Sequence, residues 1–95
     1  MAKFKLNNIA DLPASTTSHG LGIKKTFIFG NESSDNLTQY AYAKLESGEI
    51  IEPHSHNSMN EYFFVFSGNG VLNINKKSHK IKKGDCFFIE KGTLH

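Results

Sequence analysis

Two histidines and a carboxylate lie close together near the middle of this 95-residue chain. His54 and His56 flank one serine, so in an extended segment their imidazoles point to the same face. Glu61 follows at the start of an apolar stretch, where a carboxylate would be costly to bury unless a cation compensates its charge. His95 could supply a fourth donor. This donor set suits Mn, Fe, Co, Ni, Cu or Zn rather than Ca or Mg, and it predicts a divalent transition-metal site.

Each of these features is weak by itself. A His-Ser-His triplet is more often a polar loop, and a glutamate at the start of a strand is usually solvated. The spacing favours the metal site, because five residues separate Gly48 from the histidine pair and six residues separate Glu61 from Gly68. With the residue frequencies of this chain, such a match arises by chance roughly once in 10⁴ chains of this length.

The spacing resembles the first signature of the cupin superfamily, Gly-x5-His-x-His-x3–4-Glu-x6-Gly, at every fixed position. The end of the chain is similar to the second signature, Gly-x5-Pro-x-Gly-x2-His-x3-Asn. Gly84, Gly92 and His95 match it, Glu90 stands in place of the proline, and the chain ends before the asparagine position. The resemblance covers residues 37–95.

This resemblance implies an all-β fold, a small antiparallel double-stranded β-helix or jelly-roll barrel with a metal inside it. By the cupin pattern, the metal ligands would be His54, His56, Glu61 and His95, and the turn positions would be Gly48, Gly68, Gly84 and Gly92. Small cupins usually pair as dimers, often through an N-terminal strand. The missing proline affects a turn and leaves the ligand set unchanged.

The residues themselves also predict strands rather than helices. Short β-branched and aromatic runs alternate with turns rich in Gly, Asn and Ser, as in antiparallel sandwiches and barrels. The predicted strands are Ile23–Phe29 and residues 37–46, 62–66, 71–75, 79–81 and 86–89, with a hairpin connection at residues 76–78. Residues 30–36 are predicted to form a polar loop. We predict one domain, residues 1–95, with an irregular arm over residues 1–22 and a barrel core over residues 37–95.

The predicted strand that follows the histidines is apolar on both faces. Phe63 and Val65 alternate with Tyr62, Phe64 and Phe66, and a strand of this kind is usually buried on both faces. A single-layer barrel cannot cover its own outer face, so a second sheet, the N-terminal arm or another subunit must cover it. We favour another subunit and predict a homodimer.

His95 is the last residue of the chain. Terminal residues fray unless they are tied down, and a metal ligand needs supporting contacts. Cupins normally continue past this histidine with the strands that close the barrel, and open apolar sheet edges invite aggregation. We therefore expect the chain to be a fragment that lacks its last strands.

Composition restricts the partners. All 11 basic residues are lysines, which excludes recognition through a bidentate guanidinium fork but leaves lysine as a point charge for anions. The lysines of residues 76–83 are typical of a solvated turn and edge strand, so we expect no nucleic-acid partner. Cys86 is the single cysteine, and no apolar run reaches the length of a membrane span or a signal-peptide core. We expect a cytoplasmic protein.

Three functions agree with the predicted site. The first is a metal-dependent enzyme of the dioxygenase or isomerase type acting on a small molecule, for which Tyr40, Tyr42 and His79 are acid–base candidates by residue type alone. The second is a non-catalytic module that binds a small ligand. The third is a closed, structural metal site whose chelation would unfold the protein. The sequence leaves the reaction, the ligand and the metal open.

Overall fold

The computed structural model describes residues 4–32 and 36–95, so the first three residues of the arm and residues 33–35 of the predicted polar loop lie outside the described residues. Strands make up 38% of the structure, which confirms the all-β prediction. The strands are β1 (Ile23–Phe29), β2 (Gln39–Lys44), β3 (Glu61–Phe64), β4 (Asn69–Ile74), β5 (Lys77–Lys82) and β6 (Cys86–Ile89), with single 3₁₀ turns at Ile9–Asp11 and Gly30–Glu32. Neither of these short helices is long and apolar enough to cross a membrane.

The strands pair into three antiparallel sheets of two strands each, β1 with β2, β3 with β6, and β4 with β5. Over the described residues no further strand pairing joins these sheets, so they do not close the barrel that the family resemblance implies. The chain divides into two compact units, the first ending at Glu52 and the second comprising Pro53–His95. The β1–β2 sheet belongs to the first unit, and the other two sheets belong to the second.

In the first unit, β1 has the predicted bounds, while β2 is shorter than the predicted strand over residues 37–46. Thr26 and Ile28 are buried. The register with β2 shifts between these two residues, so Phe27 is an extra residue on β1. Its ring meets that of Tyr40 edge to face, with centroids 6.0 Å apart. Tyr40 therefore takes part in aromatic packing on this sheet.

The N-terminal arm is tied to β1 at two places. Ser15 and Lys24 exchange two backbone hydrogen bonds of 2.9 and 2.7 Å. The Lys5 ammonium donates to the Phe27 carbonyl and forms an ion pair with Glu32 at 2.9 Å. The hydrogen bond from Lys5 lowers the pKa of the Glu32 carboxyl. These contacts hold residues that the hydrophobic pattern alone would leave as a free loop.

In the second unit, β4 and β5 form a hairpin with a two-residue turn. Asn75 and Lys76 have φ values of 48° and 70°, and positive φ at both central positions is the property of a type I′ turn. The connection therefore lies one residue earlier than the predicted residues 76–78. Asparagine tolerates positive φ better than most residues. Asn75 therefore indicated the position of the turn better than the lysines that follow it.

The paired strands β3 and β6 have one inner face. Glu61 lies opposite Ile89 and Phe63 opposite Phe87, so these four side chains share a face. Ile89 is only 3% exposed, and the rings of Phe63 and Phe87 stack at 4.6 Å between centroids. The inner face therefore places the Glu61 carboxylate at one end of a packed apolar row.

The outer face of the same sheet carries Tyr62 opposite Phe88 and Phe64 opposite Cys86. The Tyr62 and Phe88 rings lie 5.0 Å apart. Tyr62 is nevertheless 79% exposed, Phe64 65% and Phe88 51%. The prediction that β3 is buried on both faces is wrong for the single chain, because Phe63 on the inner face is also 39% exposed, and the buried residue of that face is Ile89 of β6.

Candidate metal centre

His54 and His56 precede β3 in a segment without regular hydrogen-bonded structure. The centroids of their rings lie 5.0 Å apart, with the ring planes at 78°. This separation is within the reach of two imidazoles that share one metal ion, because each ring nitrogen lies ~2 Å from such an ion. The alternate spacing of the two histidines is therefore sufficient to bring both rings to one place.

His95 is held firmly although it ends the chain. Its N–H donates to the His54 carbonyl at 2.9 Å, and its carbonyl accepts from the His54 N–H at 2.8 Å. Asn75 donates to the neighbouring Leu94 carbonyl at 2.9 Å, and the His95 side chain is only 8% exposed. The backbone of His54 and the β4–β5 turn therefore both tie His95 down, which is the condition under which a terminal residue does not fray.

The His95 ring has a defined orientation. Its Nδ1 lies 2.9 Å from the Thr93 carbonyl oxygen. A carbonyl can only accept a hydrogen bond, so Nδ1 carries the proton in the neutral ring and Nε2 keeps its lone pair. Nε2 lies 3.0 Å from Oε1 of Glu61. A backbone carbonyl that fixes a histidine in this way is the usual support of a metal-binding imidazole.

The Glu61 carboxylate has an unusual environment. Its Oε1 lies 3.0 Å from Nε2 of His95 and 3.3 Å from Nε2 of His56, within ion-pair distance of both nitrogens. The same oxygen is buried and accepts no hydrogen bond. Both nitrogens are close to it, but neither contact has the geometry of a hydrogen bond. Leaving a buried acceptor unsatisfied costs about 1–3 kcal/mol. A cation between these three atoms would satisfy the oxygen.

The four side chains form one cluster. His54, His56, Glu61 and His95 each offer a ligand atom, and these atoms all lie within 4.8 Å of one another. Ligands ~2.1 Å from a shared ion lie about 3.0–3.4 Å apart when adjacent and about 4.2 Å apart when opposite. The spacing is therefore close to that of a bound transition metal. Across residues 4–32 and 36–95 this is the one group of three or more His, Cys, Asp or Glu side chains arranged to hold an ion.

The glycines of the two signatures occupy turns. Gly48, Gly68, Gly84 and Gly92 have φ values of 87°, 81°, 91° and 83°. The position of Gly92 matters most for the site, because its N–H donates to the His56 carbonyl at 2.6 Å. A residue with a side chain would be strained at this φ. The turn therefore brings the segment before His95 onto the segment that carries His56.

The remaining sequence candidates lie outside the cluster. Tyr40 and Tyr42 belong to β2, in the first unit, and His79 lies on β5 opposite Leu72. Cys86 is an exposed free cysteine on the outer face of the β3–β6 sheet. None of these four residues is among the grouped metal donors.

Two supporting residues escaped the sequence analysis. Thr93 orients the His95 ring through its carbonyl, and Asn60 accepts a hydrogen bond from the Lys91 N–H at 2.9 Å. The carbonyl of Thr93 leaves no trace in the side-chain pattern, since any residue could supply it. Asn60 is adjacent to Glu61, and only the three-dimensional pairing of residues far apart in sequence shows its partner.

Comparison with known proteins places this site in a family. The family model for the Cupin domain matches residues 41–95, more than half of the chain. An oxalate-binding protein of Thermotoga maritima is 28% identical over 74 residues, which cover 77% of this chain and 61% of that protein. An uncharacterized protein of Aquifex aeolicus is 25% identical over 95 residues, all of this chain and 76% of that protein.

This chain thus spans less than two thirds of the length of the Thermotoga maritima relative. No solved structure matches it significantly. The matched region, residues 41–95, contains all four clustered side chains, and the glycines and ligands of both signatures lie within it. On the extent of this match, the chain belongs to the cupin family.

Proposed function

We propose that this protein binds one divalent transition metal and uses that metal to hold a small molecule with oxygen donors. The observation that carries the proposal is the convergence of four ligand atoms around a buried Glu61 oxygen that has no hydrogen-bond partner. Three imidazoles and one carboxylate supply the donors that Mn, Fe, Ni, Cu and Zn accept. When bound, the metal would act as a Lewis acid toward the small molecule.

The chain's own residues would keep the site in order. His54 and His95 are fixed to each other through their backbones, and Thr93 holds the His95 proton away from the cluster. Four protein donors leave about two positions of a six-coordinate ion free, whereas they would fill a tetrahedral one. A six-coordinate metal therefore supports ligand binding, and a tetrahedral metal would support the closed structural site instead.

The ligand class that we propose is a small carboxylate. The Thermotoga maritima relative is named an oxalate-binding protein, and a carboxylate binds a metal through oxygen without any guanidinium partner. This matters because the chain has no arginine. Lysine or backbone N–H groups would have to supply the remaining contacts.

The test is a titration of oxalate into protein loaded with Mn²⁺ and, separately, into protein treated with a chelator. Saturable binding to the loaded protein alone is expected. A matched control is the His54→Ala, His56→Ala double variant, which should bind neither the metal nor oxalate. Equal oxalate binding with and without metal would contradict the proposed mode of binding.

Enzymatic activity is the second candidate. The observation in its favour is the same donor set, which accepts redox-active metals and leaves positions free on a six-coordinate one. A dioxygenase would consume oxygen with its small-molecule substrate, and an isomerase would convert it without oxygen. Metal-dependent product formation would establish catalysis, and binding without turnover would favour the non-catalytic module.

We also propose that the outer face of the β3–β6 sheet pairs with the same face of a second copy. Tyr62, Phe64 and Phe88 on this face are 51–79% exposed, and Phe66, two residues beyond the end of β3, is 70% exposed. At about 200 Å² per aromatic side chain, they could bury roughly 500 Å² per copy, or roughly 1,000 Å² in a dimer. That area reaches the lower end of specific interfaces. The mass of the protein in dilute solution tests this proposal.

We propose that the protein is located in the cytoplasm, and the argument is the state of its single cysteine. Cys86 is an exposed free thiol, and such a thiol is preserved in a reducing environment. Fractionation of the source cells would test this placement, and recovery of the protein outside the cytoplasm would contradict it.

A further inference from the structure

We propose that Asn60 is a positioning residue for the metal centre, acting through His95. Its side-chain oxygen accepts a hydrogen bond of 2.9 Å from the N–H of Lys91, which lies 31 positions further along the chain. Asn60 itself directly precedes Glu61. One side chain therefore links the segment that carries Glu61 to the turn that leads to His95. This inference rests on the proposed metal binding.

The link continues from Lys91 to the imidazole of His95. The turn that contains Lys91 is closed by a hydrogen bond of 3.1 Å from the Thr93 N–H to the Glu90 carbonyl. The carbonyl of Thr93 in turn accepts from Nδ1 of His95. The position of this turn thus determines where the Thr93 carbonyl lies, and the carbonyl determines the direction of Nε2 of His95.

A second hydrogen bond supports the same junction. The N–H of Gly92, next to Lys91, donates to the His56 carbonyl at 2.6 Å. Two successive N–H groups of the turn are therefore held by the segment that bears His56 and Glu61. The Gly92 bond is between backbone atoms and survives any substitution of Asn60. Loss of the Asn60 bond would leave the turn itself held only through Gly92, between the Ile89–Glu61 pairing before it and the His95–His54 hydrogen bonds after it, so the Thr93 carbonyl would be placed less precisely.

Asn60 is exposed, so water can replace its oxygen as the partner of the Lys91 N–H. The fold should therefore tolerate Asn60→Ala. The substitution should instead make the orientation of the His95 imidazole less well defined. Supporting groups around metal ligands usually affect metal affinity by 10–100-fold. Asn60 does not contact the ligand His95 itself but acts through the turn, so we expect the lower end of this range, an increase of about tenfold in the metal dissociation constant.

The experiment measures Co²⁺ binding to the full chain by calorimetry and by the visible absorption of the bound ion. Asn60→Ala is compared with Asn57→Ala, which removes the same exposed side chain from the same loop but takes no part in the hydrogen bonds above. Asn60→Asp keeps an acceptor oxygen and should restore affinity. Asn57→Asp controls for the added charge.

A double-mutant cycle with His95→Ala separates positioning from general destabilisation. If Asn60 acts through His95, Asn60→Ala should not weaken Co²⁺ binding further once His95 is absent. An equal loss in both backgrounds, or wild-type affinity and spectrum in Asn60→Ala, would overturn the inference while leaving metal binding intact. A wild-type chain that takes up no Co²⁺ would refute the proposed metal binding, and this inference with it.

Discussion

Replacing Glu61 by glutamine should stabilise the metal-free protein while it strongly weakens metal binding. Oε1 of Glu61 is buried without a hydrogen bond, 3.0 Å from Nε2 of His95, which keeps its lone pair in the neutral ring. The carboxylate cannot bond to this lone pair, whereas the amide N–H of glutamine can donate to it. One unsatisfied oxygen is thus exchanged for a hydrogen bond.

The magnitude follows from these contacts. A buried, unsatisfied acceptor costs about 1–3 kcal/mol, and a new hydrogen bond contributes about 0.5–1.5 kcal/mol. The Glu61 side chain is 25% exposed, so the site is only partly desolvated and the lower part of each range applies. We expect a gain of about 1–2 kcal/mol in the free energy of unfolding of the metal-free chain. For a domain of this size, that is an increase of roughly 5–10 °C in Tm.

Loss of the negative ligand should act in the opposite direction on the loaded protein. We expect the metal dissociation constant to rise by at least about 100-fold, the upper end of what loss of a mere supporting group causes. The assays are thermal unfolding in excess chelator and titration with Co²⁺. Glu90→Gln is the matched control, because it removes the same charge from an exposed position outside the cluster. It should change neither quantity.

The opposite stability result would refute this interpretation of the cluster. If metal-free Glu61→Gln unfolds more easily than the wild type, Oε1 is satisfied by a charged imidazole of His56 or His95. The four side chains would then be an ion-pair network that holds itself together. Retention of metal by Glu61→Gln would independently remove Glu61 from the ligand set.

Three further predictions use other parts of the chain. His54→Ala with His56→Ala should abolish metal binding and leave a folded protein, since both residues precede β3; stoichiometric metal in the purified double variant would disprove their role. Phe64→Asp should give folded monomers, because this side chain is 65% exposed in the single chain and a charge would oppose burial against a second copy. Sedimentation should show an unchanged oligomeric state for Val71→Asp, because Val71 is similarly exposed, at 63%, but lies on β4, outside the proposed interface. Glu32→Gln should remove a pH-dependent contribution to the free energy of unfolding, because the pKa of Glu32 is lowered in the folded state. In the wild type this contribution is full above the ordinary pKa of 4.5 and is lost as the pH falls through the folded-state pKa, which unfolding measured across this pH range would show.

The sequence was sufficient to predict strands wherever side chains carry the signal. Ile23–Phe29 and Cys86–Ile89 have the predicted bounds because β-branched and aromatic residues fill them. Strand β5 extends from Lys77 to Lys82, well beyond the predicted residues 79–81. The exposed lysines of β5 are held in the strand by backbone hydrogen bonds to β4. Backbone hydrogen bonds do not depend on residue type, so the sequence shows no apolar pattern that would predict the full strand.

The cluster was predictable because its residue types have a distinctive spacing. What the spacing could not show is how His95 is held at the end of the chain, since hydrogen bonds from Asn75 and His54 support that segment. Nor could it show that Glu61 lacks a hydrogen bond, which depends on the directions of two ring nitrogens. Such relations belong to atoms from distant parts of the sequence, and residue types alone do not determine them.

The most direct measurement is the metal content per chain, by elemental analysis of protein purified without added metal or chelator and again after incubation with Mn²⁺, Fe²⁺, Co²⁺, Ni²⁺, Cu²⁺ or Zn²⁺ in turn. We expect about one transition-metal ion per wild-type chain in at least one of these samples, and almost none in the His54→Ala, His56→Ala variant. Wild-type protein that holds no metal in any sample, or a double variant that holds as much as the wild type, would contradict a metal centre built from His54, His56, Glu61 and His95.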